Sequence, residues 1–99
     1  MNIIQIIMEQ LNNAAHPVAR VLHHGSHCKT LAIGFKAGMT LKDHQTNVAA
    51  TLFVARGEVI YKQENQEYTL SACSYMAIPV NTVHAVFAVT DSLCLLMQG

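Results

Sequence analysis

The sequence predicts an all-β domain, closed as a barrel or jelly-roll sandwich and preceded by one short α-helix. Three observations carry this: short β-branched and aromatic runs from Val18 onward, turn residues between them at close intervals, and one helically spaced apolar repeat at the N-terminus. The 99 residues form a single domain, with the helical segment in 1–15 and the barrel in 18–97.

In the N-terminal segment Ile3, Ile4, Ile7, Met8 and Leu11 recur at helical spacing, while Asn2, Gln5, Glu9, Asn12 and Asn13 fall mostly elsewhere on the wheel, which predicts an amphipathic helix over 3–13. Three isoleucines give it mediocre intrinsic propensity, so a barrel wall or a partner subunit must hold it. Asn12-Asn13 and His16-Pro17 end it, because a residue before proline is biased away from helix. Strands are expected near 18–24, 27–36, 40–44, 48–55, 57–63, 67–70, 75–78, 84–89 and 92–97. Gly25-Ser26 reads as a two-residue hairpin loop, and Glu64-Asn65-Gln66 breaks the pattern between VIYKQ and EYTL. In that second hairpin Val59 and Tyr61 share one face, answered by Tyr68 and Leu70 from the returning strand. So many strands in so short a chain leave few free edges, and closure follows.

Composition narrows function by exclusion. Six basic residues balance six acidic ones and only 12% are charged, so neither nucleic acid nor an anionic membrane is an expected partner. With 52% hydrophobic residues, a chain this small does not easily cover its apolar surface, and a two-fold homodimer is expected. Cys28, Cys73 and Cys94 lack CxxC spacing and read as buried reduced thiols. The opening MNIIQIIMEQL has no basic n-region, is interrupted by Gln5 and Glu9, and precedes no small-residue cleavage site. It is also too short to span a bilayer. A cytoplasmic location is the expectation.

Two segments resemble the motifs of a known family. Gly38, His44, Gln45, Thr46, Ala50 and Gly57 are spaced as in the first cupin motif, and Cys73, Pro79-Val80-Asn81 and His84 as in the second. The resemblance covers residues 34–89, and the flanks look like those of a small single-domain cupin of the conserved-barrel type. It implies a cupin β-barrel, the double-stranded β-helix or jelly roll. Gly38 and Gly57 suit turns that need positive φ, and Asn81 is among the best-tolerated substitutes for glycine there. Cys73 stands at a glycine position, where a cysteine is strained at positive φ.

In metal-binding cupins two histidines and a glutamate of the first motif and a histidine of the second point into the barrel. Carried over, His44 and His84 match, whereas Thr46 and Ala50 replace a histidine and the glutamate. The strand phase places His44, Thr46, Val48, Ala50, Leu52 and Val54 inward, and Asp43 outward, so no Asp–His relay is built. Two imidazoles hold a divalent ion (Zn, Ni, Fe or Mn) only weakly unless water or substrate completes the shell. The resemblance thus implies a barrel that binds a small molecule, a divalent metal or both, at His44 and His84, with Thr46, Ala50 and Tyr75 lining the pocket. The alternatives are a metal-dependent oxygenase or isomerase with a two-histidine site, and a structural or interaction module with a vestigial pocket. No serine or cysteine nucleophile motif is present. If Gly25-Ser26 is a two-residue loop, His24 and His27 of HHGSH lie opposite each other, as a solvated tip or an adventitious metal clip. Met39, Met76, Met97, Phe35, Phe53 and Phe87 read as core or interface filler.

Overall fold

A computed structural model describes residues 2–99, with Asp43 and His44 described by their backbone only. One helix and nine strands follow in order among the described residues: α1 (Ile3–Leu11), β1 (Val18–His24), β2 (Lys29–Phe35), β3 (Thr40–His44), β4 (Ala50–Arg56), β5 (Glu58–Gln63), β6 (Gln66–Ser71), β7 (Tyr75–Ile78), β8 (His84–Ala88) and β9 (Ser92–Gln98). Their boundaries fall within two residues of those expected, because the period-two alternation and the turn residues both mark them. No helix of the described residues is long and apolar enough to cross a membrane.

The strands form a five-stranded sheet in the order β1-β2-β9-β4-β7 and a four-stranded sheet in the order β3-β8-β5-β6. Every pairing is antiparallel. Alternation sends Ile33, Phe35, Leu52, Val54, Val59, Val86 and Cys94 into the core between the sheets. Ala50, Leu52 and Val54 thus share the inward face expected of them. The alternation does not extend back to β3, since residues 45–49 leave the ladder as a crossing loop.

The helix settles on its own barrel wall, one of the two surfaces the sequence left open. Asn2 caps it, its Oδ1 accepting from the N–H groups of Ile4 at 3.0 Å and Gln5 at 3.3 Å. Its end tightens, the N–H groups of Asn12, Asn13 and Ala14 donating to the carbonyls of Glu9, Gln10 and Leu11. Fully buried Ile7 and Leu11 pack with Ala32 and Leu93 on the outer face of the five-stranded sheet. Gly34 permits that approach, because a Cβ there would stand 2.2 Å from Ile7 Cγ2.

The motif turns have the backbone their residues imply, with φ of 88° at Gly38, 85° at Gly57, 56° at Asn81 and 71° at Cys73. Cys73 therefore occupies a glycine-like conformation at a cost of about 1–2 kcal/mol. Three expectations need correction. The β1–β2 connection spans Gly25 to Cys28 rather than two residues, closed by Gly25 N–H donating to the Cys28 carbonyl at 2.8 Å. His24 therefore pairs with Lys29, not His27. Of the three thiols only Cys94 is buried, while Cys28 and Cys73 are exposed because both sit in turns.

Candidate functional site

One end of the sandwich carries the motif residues His44, Thr46, Ala50, Asn81 and His84. There β3 crosses to β4 through 45–49 and β7 crosses to β8 through 79–83, the two loops joined by Asn81 N–H donating to the Thr46 carbonyl at 2.7 Å. The last ladder row of the four-stranded sheet at this end runs His44, His84, Gln63, Gln66, each paired with the next. The corresponding row of the five-stranded sheet runs Lys29, Gln98, Ala50, Ile78. Lys29 is in phase with the core residues Leu31, Ile33 and Phe35, and Gln98 with Cys94 and Leu96, so both belong to the inner face. These two rows lie at the same end of the sandwich, and that end is called the mouth below.

A bulge sets the pairing at its centre. Thr40 pairs with Phe87 and Leu41 with Val86, but the next pair is His44 with His84, so β3 spends one residue more than β8 over that interval. Without it Asp43 would stand opposite His84. Bulges of this kind re-aim side chains next to functional sites. The side chain of His44 lies outside the described residues, as does that of Asp43. What the ladder fixes is a backbone pairing that brings the two Cα atoms to about 4.5–5.5 Å.

His84 is 4% exposed, and its ring lies against the fully buried ring of Tyr61, centroids 5.9 Å apart and planes 26° from parallel. Its Nδ1 is 3.0 Å from the Thr82 carbonyl oxygen. A carbonyl only accepts, so Nδ1 is the donor in this contact. Carbonyl-oriented imidazoles commonly ligate metals or substrates in this way. One layer deeper, Tyr61 donates its hydroxyl to Gln63 Oε1 at 2.8 Å, and Tyr68 donates to Gln66 Oε1. Burial, and to a lesser degree Tyr68 itself, pushes the Tyr61 phenol above its ordinary pKa and keeps it a donor. Below this layer the barrel is filled by apolar side chains including Phe35, Leu52, Val54 and Val59, so any ligand space belongs to the mouth rather than the deep interior.

The remaining sequence-derived residues separate here. Ala50 belongs to the mouth row and also borders a groove of about 380 Å³ over that end of the five-stranded sheet, with Thr30, Thr51, Ala77 and Met97. Thr46 is in the crossing loop, its hydroxyl donating to the Val48 carbonyl at 2.7 Å and accepting from Val48 N–H at 3.0 Å. Val48, expected inward, is 42% exposed for the same reason. Tyr75 is corrected outright: paired with Phe53 on the outward phase of β7, it is 70% exposed and outside the mouth. His24 and His27 border a second groove of about 210 Å³ beside Val48 and Gly99.

The described donors, which leave out the side chains of Asp43 and His44, do not by themselves make up a metal site. No three His, Cys, Asp or Glu side chains come together among the described residues, whereas a catalytic zinc or iron site uses three. Gln63, Gln66, Lys29 and Gln98 were missed by the sequence reading, although V-x-Y-x-Q and Q-x-Y-x-L carry the alternation that places the two glutamines inward.

Neither a protein-family model nor a curated protein matches the sequence. Solved structures do match. A RmlC-like cupin from Desulfovibrio desulfuricans superposes with a TM-score of 0.80 at 25% identity, over 85% of this chain and 82% of that one. The chain folds as a small cupin domain. KdgF from Halomonas sp. superposes at 0.81 with 19% identity, over 87% of this chain and 82% of its own. The DMSP lyase DddQ from Ruegeria pomeroyi gives 0.78 with 15% identity, over 88% of this chain but 48% of the larger enzyme. At those identities the likeness is one of fold. In this cupin the row that carries His84 continues into the amides of Gln63 and Gln66.

Proposed function

We propose that this cupin binds a small molecule at the barrel mouth, with His84 and its ladder partner His44 at the centre of the site. The observation that carries the reading is the bulge-set pairing of those two residues from separate motifs at one position of the sheet. His84, the described member of the pair, is buried on the core side. The proton on Nδ1 favours a second reading, in which the same pair weakly holds a divalent ion with solvent or ligand completing its shell. Either use is ligand binding, and turnover is not required by it.

The test is calorimetric titration and thermal shift of the untagged protein and of His84→Ala with Zn²⁺, Ni²⁺ and Mn²⁺ and with a panel of small organic acids, amides and sugars. A ligand that stabilises the wild type and loses at least about tenfold in affinity in the variant supports the reading. Binding unaffected by the substitution, or none at all, leaves a structural module with a vestigial pocket. We also propose a homodimer, on the evidence of Tyr75 and Met97, 70% and 39% exposed on the outer face of the five-stranded sheet. A monomeric mass by light scattering would count against it.

A further inference from the structure

We infer that a second ligand site lies where the helix meets the far end of the five-stranded sheet, and that its ligand is a free α-amino acid with an aliphatic side chain. The site is separate from the mouth. Ser92 pairs with Phe35 and Arg56 with Leu93, at the opposite end of the ladder from the row of Lys29, Gln98 and Ala50. There a cavity of about 180 Å³ is lined by Ile4, Met8, Arg56, Asp91, Ser92 and Leu93. Ile4 and Met8 come from α1 and Leu93 from β9, and together they make an apolar wall. Ser92 is already engaged, its hydroxyl accepting from Glu58 N–H at 3.2 Å and donating to the Thr90 carbonyl at 2.8 Å. It closes the cavity without reaching into it.

Two opposite charges complete the lining. Asp91 gives Oδ1 to Ala37 N–H at 2.9 Å, which fixes its carboxylate and leaves the second oxygen. Arg56 is exposed, and among the described residues it makes no ion pair with Asp91 or with any other carboxylate. Glu9, Lys36 and Glu58 are close by in sequence to these walls and their hydrogen-bond partners, but none of them lines the cavity. One guanidinium, one carboxylate and an apolar wall around one small space match a molecule that carries both charges beside an aliphatic group. A lone carboxylate would meet repulsion from Asp91, and a lone amine repulsion from Arg56. The α-carboxylate and α-ammonium of an amino acid sit on one carbon, so a single small ligand reaches both, the planar guanidinium taking the carboxylate. Leucine and methionine present side chains of the kind that Ile4, Met8 and Leu93 would cover.

The experiment is an NMR titration of the untagged full chain, at low ionic strength where exposed charges are least screened, with leucine, methionine and two single-charge analogues of leucine, isocaproate and isoamylamine. We expect at least one amino acid to saturate, about tenfold tighter than either analogue, and to shift the methyl resonances of Ile4, Met8 and Leu93. Arg56→Gln should weaken it by about tenfold at an unchanged melting temperature, since Arg56 is exposed. Asp91→Asn keeps an oxygen for Ala37 N–H and should erase the preference for leucine over isocaproate. His84→Ala, at the other end of the sandwich, should leave leucine binding unchanged. Equal or tighter binding of a single-charge analogue to the wild type overturns the inference, and so does failure of both amino acids to bind. Leucine binding that survives Arg56→Gln overturns it as well, and so does binding lost in His84→Ala, which would move the ligand to the mouth.

Discussion

Tyr61 and His84 lie ring against ring on neighbouring strands, 5.9 Å between centroids, although Tyr61 pairs in the ladder with Val86 and His84 with Gln63. The contact is diagonal, and it lets one tyrosine wall the mouth histidine while reaching Gln63 with its hydroxyl. Tyr61→Phe should keep the stacking and lose about 1 kcal/mol of stability in urea unfolding. Tyr61→Ala should lose about 3–5 kcal/mol, since the ring is fully buried. If Tyr61→Phe matched the wild type, the hydroxyl bond would contribute nothing to folding.

The helix docks through a gap that only glycine leaves. Gly34→Ala should destabilise by about 1–3 kcal/mol by forcing Ile7 away, its Cγ2 standing 2.2 Å from the new methyl position. Because Cγ2 of Ile7 carries the worst of the clash, ahead of Leu11 Cδ1 at 3.1 Å, combining Gly34→Ala with Ile7→Ala, which removes that methyl, should cost measurably less than the sum of the two single changes. Strict additivity in chemical denaturation would show that the helix shifts as a whole instead.

Cys94, buried against the inner sheet faces, has its thiol pushed up to about 12 by desolvation. The folded chain then holds this proton at pH values where the unfolded chain releases it. Its contribution is fully present below the ordinary thiol range near 9 and is lost as pH rises toward about 12, at up to about 1.4 kcal/mol per pH unit. Unfolding free energies of the wild type and Cys94→Ala, compared at pH 8 and pH 10.5, should converge at the higher pH. Parallel curves would mean that the thiol is not what titrates.

Cys73 holds φ at 71° with an exposed side chain. Cys73→Gly removes the Cβ penalty of about 1–2 kcal/mol, offset in part by the larger entropy of glycine in the unfolded chain. A rise in melting temperature is expected, and a fall would assign Cys73 a packing role that its exposure does not suggest.

The strand boundaries were legible because each strand announces itself locally, by alternation and by flanking turn residues. Gly38, Gly57 and Asn81 could likewise be assigned positive φ, from their places at the turns of the two motifs. The β1–β2 turn misled for the opposite reason: HHGSHC carries no clean alternation, so nothing local fixes its register, and the bulge between Val21 and His23 lengthened the connection. Thr46 and Val48 failed where a strand phase was extended through a loop that breaks it.

Local pattern, then, determined the closed antiparallel architecture and the apolar core faces, and the resemblance to two cupin motifs singled out the two histidines. Only the tertiary structure decided that His44 rather than Asp43 stands opposite His84, that Gln63 and Gln66 continue their ladder row, and that the helix sits on Gly34. Alternation specifies which face a side chain takes, but the row it occupies depends on register between distant strands. That register is set by bulges, loop lengths and the packing of both sheets together.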